Sequence, residues 1–201
     1  MSATATPYGF KPVNEIGGLP YAGSTRQIKI ASGYGSNIFY GQVVSIVAAG
    51  TIEVVTTNGD NSTQFPAGTI GVFVGCTYTN PTTKQLTFAQ YWPTGTAASD
   101  AMAYVVDDYN TLFQVQAAGS LAQATLGSNA FLNAVQSTST GSTTTGNSNT
   151  ALSTSVATTS GYAFRIVDFV ESTTSTVGDA FTDVLVKFNP VAHSYNNPTG
   201  I

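Results

Sequence analysis

The stretch from Thr63 to Pro93, TQFPAGTIGVFVGCTYTNPTTKQLTFAQYWP, most constrains the fold, because side-chain alternation, turn chemistry and aromatic content agree along it. Ile70, Val72, Val74, Cys76 and Tyr78 recur at every second position, which places them on one face of a strand. The opposite face carries Gly71, Gly75 and Thr77 with Phe73 as its one large residue, and so lies close to another backbone. In a second strand Leu86, Phe88 and Trp92 share a face against Gln85, Thr87 and Ala89. Between the two, Thr79 to Thr83 contains the Asn-Pro pair of a turn, and Pro93, which lacks an N–H, ends the second strand. The spacing predicts a β-hairpin over 68–93. Burying its large apolar side chains at roughly 1.5 to 3 kcal/mol each contributes on the order of 10 to 20 kcal/mol before entropy, enough to organise a core. The expected core is Ile70, Val72, Val74, Cys76, Tyr78, Leu86, Phe88 and Trp92.

Charge is the unusual quantity in the composition. Only 8% of the 201 residues are charged, against about 25% in an ordinary soluble domain, while Ser, Thr, Gly and Asn abound. A surface of hydroxyls and amides desolvates against another protein at lower cost than one coated with Lys and Glu. That suits a multi-copy structural component, and equally a secreted adhesin. The net charge of −4 and pI near 4.6 argue against the basic footprint needed on phosphate backbones, so nucleic-acid binding is not expected. The first residues, MSATATPYGFKPV, show neither a basic nor an apolar leader region, and no apolar run approaches roughly 18 residues. Neither membrane insertion nor Sec export is expected.

Along the chain, residues 1–23 read as an extended N-terminal arm. Pro7, Pro12 and Pro20 oppose helix, Gly9, Gly17 and Gly18 favour irregular backbone, and Tyr8, Phe10, Val13 and Ile16 are spaced apolar anchors. Such an arm either docks on a neighbouring subunit or capsid through those four residues, or folds back onto its own domain. Residues 24–118 read as a β-core built around the 68–93 hairpin, with short strands at 26–30, 42–47 and 51–56. Met102, Tyr104 and Val106 alternate, stop at Asp107-Asp108-Tyr109-Asn110, and give way to Phe113, Val115 and Ala117, which predicts a second hairpin. Residues 119–201 form a C-terminal β-region, in the same domain or a second one. Its Ser/Thr-rich tract 137–160 is either a linker or a long β-excursion anchored by Leu152 and Val156. Beyond it Tyr162, Phe164, Ile166 and Val170 share a face, as do Val184, Val186 and Phe188. The expected fold class is all-β: a β-sandwich or a jelly-roll or barrel-like core of short antiparallel strands, with the extended arm.

Candidate chemistry is sparse. The only histidine, His193, sits in an Asn- and Pro-rich tail, and no nucleophile-elbow sequence occurs, which argues against Ser-His-Asp catalysis. One Cys and one His fall short of the roughly four ligands of a structural zinc site. Cys76 reads as a small buried hydrophobe. Asp107, Asp108, Asp168, Glu171, Asp179 and Asp183 could in principle form a glycosidase pair, but Asp at strand ends commonly caps turns. Asp107, Asp108 and Asn110 lack the spacing of a calcium loop. Tyr34, Phe39, Tyr40, Tyr78, Tyr91 and Trp92 suggest a sugar platform or, more simply, core and interface aromatics. No catalytic residue, metal or cofactor is expected.

The order Gly71-Val-Phe-Val-Gly-Cys-Thr-Tyr78, then Lys84 with Phe88-Ala-Gln-Tyr-Trp-Pro93, then Ala103-Tyr-Val-Val-Asp-Asp108 and Phe113-Gln-Val-Gln116, resembles the head decoration (cement) proteins of tailed bacteriophages. The likeness continues through Arg165-Ile-Val-Asp-Phe169 and Gly178-Asp-Ala-Phe-Thr-Asp-Val-Leu-Val-Lys-Phe-Asn189. It implies a non-enzymatic virion protein, assembled in the host cytoplasm, that binds the outer surface of an icosahedral phage capsid. There it stabilises the lattice of the major capsid protein, as a homotrimer. The alternatives are a phage tail or fibre component and a secreted carbohydrate-binding module or adhesin.

Overall fold

The structure, a computed structural model, describes residues 4–201 and is almost entirely β. Eleven strands form two antiparallel sheets. The first has the order β1 (Lys11–Glu15), β8 (Thr111–Gln116), β11 (Asp183–Phe188), β10 (Phe164–Phe169) and β9 (Asn129–Ala130). The second runs β2 (Arg26–Lys29), β7 (Met102–Val106), β5 (Thr69–Thr79), β3 (Val43–Ile46) and β4 (Ile52–Val54), and β6 (Leu86–Ala89) pairs with the far half of β5. A parallel bridge between Ile30 and Ile52 brings the end of β2 back against β4, so the second sheet curls towards closure as a small barrel.

Two cores follow from this curl. Ile30, Ile38, Val44, Ile52, Ile70, Phe73, Cys76, Tyr78, Trp92 and Val105 fill the barrel. Val43, Val72 and Val106 project from its outer wall and meet Phe113, Val115, Phe164, Ile166, Val184, Val186 and Phe188 of the other sheet. Those two layers make the sandwich.

The expected single face of β5 is therefore divided between the two cores. Ile70, Phe73, Cys76 and Tyr78 point into the barrel, whereas Val72 and Val74 point to the sandwich core. The cause is two irregularities, one where β3 skips Ile70 and one where β7 skips Val74. Gly71 (φ 146°) and Gly75 (φ 144°) supply the positive φ beside them, and a Cβ on Gly71 would come within 2.0 Å of the Val106 carbonyl oxygen. Each bulge reverses which side of the strand the next side chain takes.

The remaining departures have equally local causes. β7 and β8 are not a hairpin: Asp107 to Asn110 carries the chain from one sheet to the other, with the Asp108 carboxylate accepting the Asn110 N–H at 2.9 Å. The sheet containing β1, β8 and β11 draws on the arm, on 24–118 and on 119–201, so all three segments pack into one sheet. The tract 137–160 is folded against the body. Leu152 is fully buried, Val156 packs on the sandwich core, and bridges join Tyr40 to Asn147 and Leu132 to Leu152. The buried Gln136 amide substitutes for a strand there. Its Oε1 accepts the Val43 N–H at 2.8 Å, and its Nε2 donates to the Val43 and Val55 carbonyls at 2.9 and 3.1 Å. A hydroxyl- and amide-rich segment can thus be held by polar pairing where it lacks apolar surface.

Candidate interaction surface

The arm is a strand of its own domain. β1 pairs antiparallel with β8, and the pairing shifts register between Pro12 and Asn14. Phe10, expected as a contact to capsid or subunit, is instead at the centre of the sandwich core. It is fully buried, stacked on Phe164 at 4.7 Å and edge-on to Phe113 at 6.4 Å. Glycine makes this approach feasible, because the Phe10 N–H donates to the Gly41 carbonyl at 2.9 Å and a Cβ on Gly9 would clash with that same oxygen. Tyr8 is half-buried; burial first, then the Asp183 charge, pushes its hydroxyl well above the usual phenol value. Val13 and Ile16 remain 40% and 49% exposed, joined by Leu19 at 64%. A turn closed by the Gly18 N–H on the Glu15 carbonyl presents Ile16 and Leu19 together.

The hairpin contributes the second exposed apolar feature. Leu86 and Phe88, expected in the core, are 62% and 72% exposed, while Trp92 is fully buried. The strand stops at Ala89, and a bend at Gln90 and Tyr91 turns Trp92 inward to bridge Ile38 and meet Tyr78 edge-on at 5.3 Å. Leu86 and Phe88 stay opposite Thr79 and Thr77, on the outer wall of the barrel. Met102 stands across β5 from Phe88, since both pair with Thr77, so the apolar row crosses three strands. The Asn80 side chain holds the hairpin tip by accepting the N–H groups of Thr82 and Thr83 at 2.8 and 3.1 Å. Among the described residues β6 pairs only with β5, so its other edge has no strand partner there.

Four of the six acidic candidates, Asp107, Asp108, Asp168 and Asp179, are engaged in local structure. Asp107 pairs with Arg26 at 2.7 Å and accepts the Tyr195 hydroxyl at 2.8 Å, tying the C-terminal tail to β2. Asp108 caps its own turn, Asp179 accepts the Thr176 N–H, and the Asp168 carboxylate accepts the Phe169 N–H. Asp183 lies beside Tyr8, and burial raises its carboxyl above the usual range. No group of three or more His, Cys, Asp or Glu suited to a metal occurs among the described residues. His193 is buried against Tyr109, Phe188 and Tyr195, its Nδ1 accepting the Tyr195 N–H at 3.3 Å, and burial lowers its basicity. Cys76 is enclosed in the barrel, where burial pushes its thiol up to about 12, which disfavours the reactive thiolate.

Of the aromatics considered as a sugar platform, Phe39, Tyr78 and Trp92 are buried, and Phe39 stacks on Tyr91 at 5.6 Å. They line the barrel and its cover. The Tyr34 hydroxyl accepts the Val54 N–H at 3.1 Å. The surface that remains for recognition is therefore polar and charge-poor, and its exposed apolar groups include Val13, Ile16 and Leu19 on the arm and Leu86 and Phe88 on the barrel wall, with Leu126, Val135 and Ile201 exposed elsewhere. The exposure of Leu86 and Phe88 was hidden in the sequence, because alternation shows that they share a face without showing which face is covered. Comparison of the chain with protein-family models, curated proteins and solved structures finds no match.

Proposed function

We propose that this chain is a non-enzymatic capsid decoration protein: it binds the outer surface of an icosahedral phage head, associates with copies of itself as a homotrimer, and bridges subunits of the major capsid protein. The observation that carries the reading is the surface, in which exposed apolar groups sit on an edge strand and on a turn within a hydroxyl-rich surround of very low charge. Large apolar groups left in water on an edge strand are a liability for a free monomer and an asset in a permanent assembly. The stretches that resemble cement proteins coincide with β5 to β8, β10 and β11, the strands that build both cores.

The mechanism needs no catalytic residue or cofactor. Each contact is modest, but a clamp that engages several lattice subunits at once gains effective concentration, so many weak contacts resist internal pressure together. Titrating labelled protein onto heads assembled without it tests this. Saturable binding in fixed proportion to the major capsid protein, with greater resistance of loaded heads to heat, is the expected result; absence of binding contradicts it.

A further inference from the structure

On the face of β10 and β11 turned away from the sandwich core, Arg165 and Lys187 are direct cross-strand partners. Like charges so placed destabilise a sheet, and the chain has only six cationic residues against ten acidic ones. Among the described residues neither forms an ion pair, the one ion pair there being Arg26 with Asp107. Arg165 is nonetheless positioned, because its Nε donates to Asn129 Oδ1 at 3.1 Å, which leaves its terminal nitrogens free of that bond. The two cations lie in a groove of about 570 Å³ whose rim includes Ile16, Leu126, Val167 and Pro190. Ile16 and Leu126 are 49% and 45% exposed. This groove suits an apolar projection with a carboxylate beside it.

The chain itself carries such a projection. Thr79, directly opposite Leu86, donates both its N–H and its hydroxyl to the Asp100 carboxylate, at 3.2 and 2.6 Å. Asp100 is thereby held on the β7 side of Thr79, across β5 from the exposed Leu86, and its carboxylate can still accept a cation from outside. We propose that Leu86, Phe88 and Asp100 of one copy dock into the Arg165 and Lys187 groove of a second copy, head to tail. Apolar side chains meet the apolar rim, and a fixed carboxylate meets two cations that form no ion pair among the described residues. The two surfaces lie on different sheets of the same molecule, so the contact is heterologous and every copy can both give and receive. The inference deepens the self-association part of the proposed function and rests on that reading. It is tested on purified protein alone, so its failure leaves capsid binding to be judged by its own titration.

Two variants separate the surfaces: Phe88→Ser with Leu86→Ser removes the projection, and Arg165→Glu with Lys187→Glu reverses the groove. All four positions are at least partly exposed, and circular dichroism checks that each variant is folded; Arg165→Gln with Lys187→Gln serves if the reversal unfolds the sheet. Analytical ultracentrifugation is expected to show association of the wild-type chain, weakened by added salt, and a dissociation constant raised at least about tenfold in either variant. Mixing the two variants is expected to restore one good contact per pair and to yield dimers and nothing larger. A monomeric wild-type chain, a groove variant that associates like wild type, or a mixture that stays monomeric would each overturn the proposal.

Discussion

Phe10 joins the arm to the body. Its ring is enclosed by Phe113 and Phe164, and its backbone N–H is paired with Gly41, so Phe10→Ala is expected to cost about 3 to 5 kcal/mol, read from the shift in a chemical denaturation midpoint. Removing Met1 to Leu19 would delete this side chain together with an entire strand, and so lower stability besides affecting any partner. His193 acts at the other end of the chain. Burial holds its imidazole below the ordinary value of 6.5, so the unfolded chain takes up the proton more readily than the folded one. Its contribution to stability is full above pH 6.5 and falls as pH drops from there towards the depressed folded value. The expected outcome is a denaturation midpoint that declines between about pH 7 and about pH 5, with a smaller decline in His193→Phe. An equal decline in that variant would assign the effect to other groups.

At the scale of elements, the tract 137–160 shows how a segment poor in apolar residues becomes fixed. Gln136, at its start, satisfies three backbone groups of Val43 and Val55. Gln136→Ala leaves buried polar groups unpaired at about 1 to 3 kcal/mol, and the tract should become the first site cut in limited proteolysis. The alternation of Val184, Val186 and Phe188, and that of Phe164 and Ile166, was legible because each strand has one buried side and no irregularity within those residues. β5 was legible as a strand but not in its faces, since the bulges beside Gly71 and Gly75 send Val72 and Val74 to a different core from Phe73 and Cys76. The turn at Asp107 to Asn110 was visible too, but a turn sequence does not say whether the next strand pairs with the last one or crosses to another sheet. The groove of Arg165 and Lys187 left no local signal, since the two residues are 22 apart in the chain and meet only through the β10–β11 register.

The whole molecule is a barrel with its own core and a second sheet that packs on part of the barrel's outer wall, leaving the wall at β6 uncovered. Its covering is rich in hydroxyls and amides and poor in charge, with exposed apolar groups on the arm turn and on the barrel wall among others. That distribution fits a component whose final environment is a protein lattice. We propose that this environment is a phage head. Quantitative mass spectrometry of purified particles, comparing this chain with the major capsid protein, tests it most directly. The account predicts a ratio near one to one or another large fixed fraction. A handful of copies per particle would contradict it in favour of a tail or fibre component, and absence from particles would contradict any virion role.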